Sequence, residues 1–198
     1  MNQVAAPLAH AAAPLAHAAA PGEIVIREES ARDFLAREAL LDRAFGLDRW
    51  RKTCERLREG RLPAQGLAFS AIRDGVLVGT LRFWSVEAGE GCDVLLLGPI
   101  AVSASLRAQG LGGNMIRHGL ERARKLGHKA VILVGDAPYY QRFGFARDGA
   151  LNLDLPGPVE LARFLALELQ PGALDGAQGF VRATGAFAET EGERRLAA

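Results

Sequence analysis

Apolar residues recur along this chain in different rhythms, and each rhythm specifies a different element. Leu95 to Val102 is almost continuously apolar, as is Ala130 to Val134, and runs of that length fit strands buried in a sheet. Between them Ile116, Leu120 and Ala123 return at helical spacing, with Arg117, Glu121, Arg124 and Lys125 on the other side. That pattern predicts an amphipathic helix, and Gly127 supplies a C-terminal stop. Strand, helix and strand in this order make a βαβ unit, whose crossover is expected to be right-handed.

Upstream, Ile24-Val25-Ile26 reads as a short strand, and Ser30 as the N-cap of a helix carrying Phe34, Leu35, Leu40, Leu41 and Phe45. A second helix is expected from about Asp48 to Arg58, with Trp50, Cys54 and Leu57 on one side. Leu67–Ile72 and Val76–Val86 flank Arg73-Asp74-Gly75 and should form a hairpin, after which Cys92 or Asp93 opens the next strand. Gly98-Pro99 interrupts that strand, and because proline cannot donate to a ladder a bulge is expected there. The backbone of Ile100, Ala101 and Val102 is then free to pair with something other than a neighbouring strand. Downstream, Asp136 caps a short helix with Pro138 in its first turn, Gly144 ends it, and Phe145 should begin a strand. Leu161–Leu169 suits a helix by composition and a strand by length and its Pro-Gly brackets. Gly179–Phe187 is expected as a last edge strand, and residues 189–198 as a flexible polar tail.

Composition narrows the classes. A chain of 198 residues at 49% hydrophobic can bury a real core in one domain, placed here at 22–188. Lys plus Arg is 24 against 23 Asp plus Glu, so no global field favours nucleic acid, and none is expected as a partner. Cys54 and Cys92 fall in different elements, and no histidine has a Cys or His at ligand spacing. Reduced thiols, a cytoplasmic location and no metal are the expectation. No stretch of 18 or more apolar residues occurs, so no membrane span is expected. Residues 1–21 repeat Ala-Ala-Pro-Leu-Ala-His-Ala in tandem; too little bulky apolar surface suggests a disordered tail, and the lack of a basic leader argues against a signal peptide.

The chemistry concentrates where the central helix begins, at Gly110, Gly112 and Gly113. The first N–H groups of a helix lack partners, and glycine lets a phosphate approach them closely. The dipole adds only roughly 0.3–1 kcal/mol, so the donors matter more. A bulky side chain at Gly110 or Gly112 should block that approach, and any positive φ at Gly112 would add strain. A Walker loop would need Lys-Ser or Lys-Thr after the last glycine, where Asn114 stands, and a dinucleotide fingerprint would sit at the first strand. What occurs is Arg-x-x-Gly-x-Gly at Arg107, Gly110 and Gly112, preceded by Ile-Ala-Val.

This loop resembles the acetyl-CoA pyrophosphate loop of the GNAT superfamily of N-acetyltransferases. One βαβ unit further on, Tyr140-Gln-Arg-Phe-Gly-Phe145 resembles the family's Tyr-x-x-x-Gly-Phe segment. The stretch Val134-Gly-Asp-Ala-Pro-Tyr-Tyr-Gln-Arg-Phe-Gly-Phe145 is most similar to the YhbS-like branch, and the resemblance covers most of residues 23–187. It implies an α/β (α+β) fold: one domain with a mixed, mostly antiparallel sheet, a central parallel βαβ unit and helices on both faces. It also tips Leu161–Leu169 to strand.

The resemblance implies an acetyl-CoA-dependent N-acyltransferase that moves an acetyl group directly from the thioester to a primary amine on a small molecule or peptide. The coenzyme would be held by Ile100, Ala101 and Val102 along the pantetheine arm, and by Arg107, Ala108, Gln109, Gly110, Leu111, Gly112 and Gly113 at the phosphates. Tyr140 would protonate the departing sulfur, since a phenol is still protonated at neutral pH. Asp136 is first a cap and second a candidate for the acceptor amine. Many family members carry a glutamate on the strand before the glycine loop. Here Val94–Val102 has no carboxylate and the nearest are Asp93, Glu90 and Glu87, so water or Asp136 is left as the base. The basic run Arg49, Arg51, Lys52, Arg56, Arg58 and Arg61 is either a solvated face or a rim for an acidic substrate or the coenzyme phosphates. A non-catalytic acyl-CoA sensor, a partner-recruiting protein and a homodimer stay open at this point.

Overall fold

The computed structural model describes Ala20 and residues 22–197; the repeat expected as a tail therefore lies almost wholly outside the described residues. The strands are β1 (Ile24–Glu28), β2 (Ala68–Arg73), β3 (Val76–Ala88), β4 (Asp93–Val102), β5 (Ala130–Val134), β6 (Leu153–Asp154), β7 (Phe164–Glu168) and β8 (Gly179–Ala183). The helices are α1 (Phe34–Phe45), α2 (Leu111–Lys125), α3 (Ala137–Gln141) and α4 (Glu191–Ala197). The sheet runs in the order β1-β2-β3-β4-β5-β7, with β8 joining β3 and β6 joining β8. Only β4–β5 and β6–β8 are parallel among the described strands. Among the described residues no helix is long and apolar enough to cross a membrane.

Alternation on the central strands divides the core between the two faces. Leu95 and Leu97 join Leu81, Phe83 and the inner side of α2 (Met115, Ile116, Leu120 and Ala123). Val94 and Leu96 join Trp84, Val86 and Leu57 on the opposite face. There Leu40 and Leu41 of α1 also pack, against Leu77 and Ala101.

The expected bulge is present. Leu81 pairs with Ile100 and Phe83 with Leu97, so Gly98 and Pro99, joined by a cis peptide, stand opposite Arg82 alone. The Trp84 indole N–H donates to the Gly98 carbonyl and ties the bulge to β3. A bulge bends its strand and strengthens the local twist. Accordingly β4 pairs with β5 only at Leu95–Val131 and Leu96–Ile132, and beyond Leu97 the two strands part.

Four local expectations change. The helix expected from Asp48 to Arg58 is two 3₁₀ turns, Leu47–Arg51 and Thr53–Leu57, separated by Lys52 in an extended conformation (φ −69°, ψ 143°). Tertiary bonds hold the second turn: the Thr53 hydroxyl donates to the Pro158 carbonyl and Arg56 to that of Pro156. The strand expected at Phe145 is reduced to one bridge, Ala146–Ala166, because the chain turns into a 3₁₀ segment at Asp148–Ala150. The last strand ends at Ala183 and is not an edge: β8 takes the place beside Val86–Ala88 that the shorter β2 leaves vacant. Residues Glu191–Ala197, expected as tail, form a helix whose Arg195 carbonyl accepts from Arg37 at 3.1 Å.

A buried ionic network lies beneath α1. Arg37 and Glu29 are almost fully buried and paired; Glu29 also binds Arg82, and Arg37 binds Glu38. Nearby, Asp33 accepts from Arg27 at 2.7 and 2.8 Å, from Ser30 N–H at 2.9 Å and from the Ser70 hydroxyl at 3.0 Å.

Candidate active site

The parting of β4 from β5 opens a cleft with two adjoining cavities. The larger, about 520 Å³, has Leu97–Ile100 on one side and Val134–Asp136 with Tyr140 on another; its cover comes from the 3₁₀ turns around Arg49–Arg58 and from Pro158–Arg163. The smaller, about 360 Å³, lies where α2 begins, between Val102, the Arg107–Asn114 loop and Tyr139.

The smaller cavity is built to take an anion. Asn114 N–H makes an early bond of α2, to the Gly110 carbonyl at 3.0 Å, and the N–H groups of Leu111, Gly112 and Gly113 are those a helix start leaves over. Gly110 enters the helix at φ +82°, a conformation that costs a side-chain-bearing residue. Gly112, by contrast, is inside α2 and has no positive φ; its role is space, since a Cβ there would stand 3.0 Å from the Tyr139 hydroxyl and 3.7 Å from Val102. The second left-handed residue of the loop is Ala108, at φ +63°. Arg107, Arg117 and Arg142 line the cavity. Arg142 lies over the Tyr139 ring at 4.4 Å and Arg117 over Phe143 at 5.4 Å, which orients both guanidinium groups. Three cations, free helix N–H groups and a side-chain-free approach fit a pyrophosphate-bearing coenzyme.

Of the residues proposed to hold a coenzyme, Arg107, Ala108, Gly110, Leu111, Gly112, Gly113 and Val102 line this cavity, and Ile100 lines the larger one. Ala101 lines neither; it packs under α1 with Leu40 and Leu41. Gln109 lines neither, and its side chain closes the loop by donating to the Ser105 carbonyl at 3.0 Å. Arg117 and Arg142 escaped the sequence reading. Their signal was spacing: Arg117 follows Gly110 by two helical turns, and Arg142 lies three residues beyond Tyr139.

Tyr140 is placed by a cap and a glycine. The Asp136 carboxylate accepts from Tyr139 N–H at 3.2 Å, and Pro138 fits the first turn of α3. The Tyr140 ring lies directly on Gly135, in the space a Cβ would fill, with Tyr139 and Phe145 edge-on at 5.1 and 5.9 Å. Burial pushes its phenol up to about 12; neighbouring Tyr139 and Asp136 add to the shift and Arg163 opposes it. The hydroxyl is therefore protonated at neutral pH. Arg163 joins the same corner, with its Nε 3.4 Å from the Gly135 carbonyl, while its own carbonyl accepts from Gly135 N–H at 2.9 Å.

Three carboxylates line the larger cavity: Glu55, Asp136 and Glu160. Glu55 is held by Arg58 at 2.6 Å and Asp136 is engaged by the α3 cap. The acids nearest in sequence to the glutamate-less strand lie elsewhere: Asp93 starts β4, at the end away from the bulge, and Glu87 accepts from Gly91 N–H at 2.9 Å in the β3–β4 connection. Cys54 also lines the cavity, where burial pushes its thiol up and keeps it un-ionised. Among the described residues no group of three or more His, Cys, Asp or Glu side chains could hold a metal ion.

Comparison with known proteins agrees with this geometry. Residues 26–145 match the model of the acetyltransferase (GNAT) family. The uncharacterized N-acetyltransferase YhbS of Escherichia coli K12 is 31% identical over 159 residues, covering 80% of this chain and 95% of that protein. YjhQ of the same organism, also an uncharacterized N-acetyltransferase, is 34% identical over 124 residues, 60% of this chain and 68% of its own. The crystal structure of Escherichia coli YhbS in complex with CoA superposes with a TM-score of 0.71, covering 85% of this chain and 94% of that one. A GNAT family acetyltransferase from Brucella melitensis in complex with acetyl-CoA, 28% identical, gives 0.60 over 82% of this chain and 97% of that one.

Proposed function

This chain belongs to the GNAT family of acetyltransferases, and from that premise we propose that it transfers an acetyl group from acetyl-CoA directly to a primary amine bound in the larger cavity. The observation that carries the proposal is the adjacency of an anion-binding helix start and a buried, protonated Tyr140 across one split between parallel strands. Both solved relatives hold a CoA species, CoA in YhbS and acetyl-CoA in the Brucella protein.

Bound along this cleft, acetyl-CoA would supply the activated thioester. The protein's part is to align the partners and to manage two protons. Arg107, Arg117 and Arg142, with the N–H groups at the start of α2, would anchor the phosphates. The unpaired β4 edge beyond Leu97 would receive the amide-bearing arm as an added strand. Tyr140 holds a proton for the departing sulfur. The proton lost by the amine has two carboxylate destinations in the same cavity, Asp136 and Glu160, directly or through water.

The test is release of CoA thiol by the isolated protein with a library of primary amines. With any amine that reacts, Tyr140→Phe should keep acetyl-CoA affinity and lower kcat by about 10²–10⁴, whereas Tyr139→Phe should do little. Tight binding of acetyl-CoA with no amine turned over would instead favour a sensor.

A further inference from the structure

The basic run between Arg49 and Arg61 has a definite address. Between Asp42 and Arg61 the chain carries seven Lys and Arg against four Asp and Glu, although its whole formal charge is only +1. Of that run, Arg49, Arg51, Lys52 and Arg58 line the larger cavity, and none lines the cavity at the start of α2, whose cations come from other segments. The strip is therefore misplaced for the coenzyme phosphates and well placed for whatever enters beside Tyr140.

The four cations are not equivalent. Arg49 is spent on the protein itself, bound to Glu38 and to Asp42 at 2.8 Å. Arg58 is 8% exposed and paired with Glu55, but its buried Nε has no hydrogen-bond partner among the described residues. Its Nη1 reaches to 3.9 Å from where a Gly98 Cβ would stand, beside the bulge. Lys52 lies over the Phe45 ring at 4.7 Å, and Arg51 has only a loose contact with exposed Asp48 at 3.6 Å. Arg163 adds a fifth cation next to Tyr140, its side chain bound only to a backbone carbonyl among the described residues. Arg51, Lys52 and Arg163 thus have donors to spare, against the carboxylates of Glu160 and of Asp136 in the α3 cap, around a cavity that also has apolar walls such as Leu97, Pro99, Val134 and Val159.

We propose that the acceptor is a small amine that also carries a carboxylate, its anionic end held by Arg51, Lys52 and Arg163 while its amine faces Tyr140. The inference rests on the acetyltransferase reading above. The excess of Arg51, Lys52 and Arg163 over the two remaining carboxylates selects in two ways: it attracts the substrate carboxylate, and it repels a second ammonium group, so di- and polyamines are disfavoured by the same residues.

Three probes of similar amine basicity and equal chain length separate the possibilities: 5-aminopentanoate, pentylamine and 1,5-diaminopentane. In the thiol-release assay, 5-aminopentanoate should exceed 1,5-diaminopentane in kcat/KM by at least about tenfold at low salt, the scale expected of two or three solvent-exposed ion pairs acting together. Arg51→Gln/Lys52→Gln, and separately Arg163→Gln, should bring the ratio toward unity, while Arg163→Lys should keep part of it. Calorimetry supplies a measurement that does not depend on turnover. N-acetyl-5-aminopentanoate should bind the protein–CoA complex more tightly than N-acetyl-1,5-diaminopentane, and the difference should shrink in the same variants. α-Amino acids and short acidic peptides, run beside the probes, show which source of carboxylate the cavity takes. Equal or tighter binding of the diamine product, no preference over pentylamine, or a preference untouched by all three variants would overturn the proposal. Failure to bind acetyl-CoA would instead overturn the acetyltransferase reading on which it rests.

Discussion

Gly135 offers the sharpest test of the site's geometry, because a Cβ there would shift the Tyr140 ring while leaving its hydroxyl chemistry intact. A Cβ at this position would stand 2.7 Å from Tyr140 Cδ2 and 3.1 Å from Cζ, and closer still to Cε2. Gly135 itself cannot retreat easily: its N–H and carbonyl are both bonded to Arg163. Gly135→Ala must therefore push the tyrosine ring aside by roughly 1 Å, a displacement that can cost on the order of a hundredfold in rate when it moves a catalytic group. Overpacking of this kind costs about 1–3 kcal/mol of stability, or a fall in Tm of roughly 2–10 °C for a domain of this size. The expected result is a folded protein with acetyl-CoA affinity within about threefold of the parent and kcat lowered by on the order of 10². A double-mutant cycle identifies the route. If the loss passes through Tyr140, Gly135→Ala should add little once Tyr140→Phe is present. The assay is steady-state thiol release at saturating acetyl-CoA, with melting curves for all four proteins. A kcat within about threefold of the parent, or losses that simply multiply in the double variant, would refute the argument.

At the phosphate end, Gly112→Val should weaken acetyl-CoA binding at least about tenfold, or roughly 1.4 kcal/mol, by crowding Tyr139 and Val102; Gly110→Val should add backbone strain, visible as a lower Tm. Calorimetry on the folded variants decides, and unchanged affinity would remove the loop from the site. In the buried network, burial acts to raise the Asp33 pKa, but the bonds from Arg27, Ser30 and Ser70 outweigh it and lower the carboxyl to about 2. A depressed carboxyl contributes stability that is complete above its unfolded value near 4 and is lost as pH falls from there through about 2. Because Arg27 is 41% exposed, the contribution is about 1–2 kcal/mol rather than the full Coulombic value. Asp33→Asn should accordingly flatten the dependence of Tm on pH between about 4 and 2, and an unaltered slope would show that the pair contributes nothing.

Patterns confined to a few neighbouring residues were legible in the sequence. The hairpin at Asp74-Gly75 follows from turn chemistry; the α2 face follows from apolar spacing; the bulge at Gly98-Pro99 follows from a missing N–H. The Asp136 cap was legible too, because Ser, Thr, Asp or Asn before a proline-started turn has a specific local use. What depended on long-range partners was not. Nothing in the spacing of α1 marks Arg37 as a core residue. It is fully buried because Glu29, from the end of β1, and the backbone of α4 supply its partners. The segment after Asp48 read as a helix because its composition allowed one. Bonds to Pro156 and Pro158, about a hundred residues away, tie its second half down as a 3₁₀ turn over the cavity instead.

The division has one physical cause. Turn formers, caps and amphipathic periods act through neighbours within about four residues, so the sequence alone determined the βαβ unit and the two motifs that reveal the family. Which cations line the smaller cavity and which the larger depends on how far β4 and β5 diverge and on what covers the gap. Only the tertiary structure decided that the Arg49–Arg58 strip lies over the larger cavity, because the contacts that hold it there join segments that no local pattern relates.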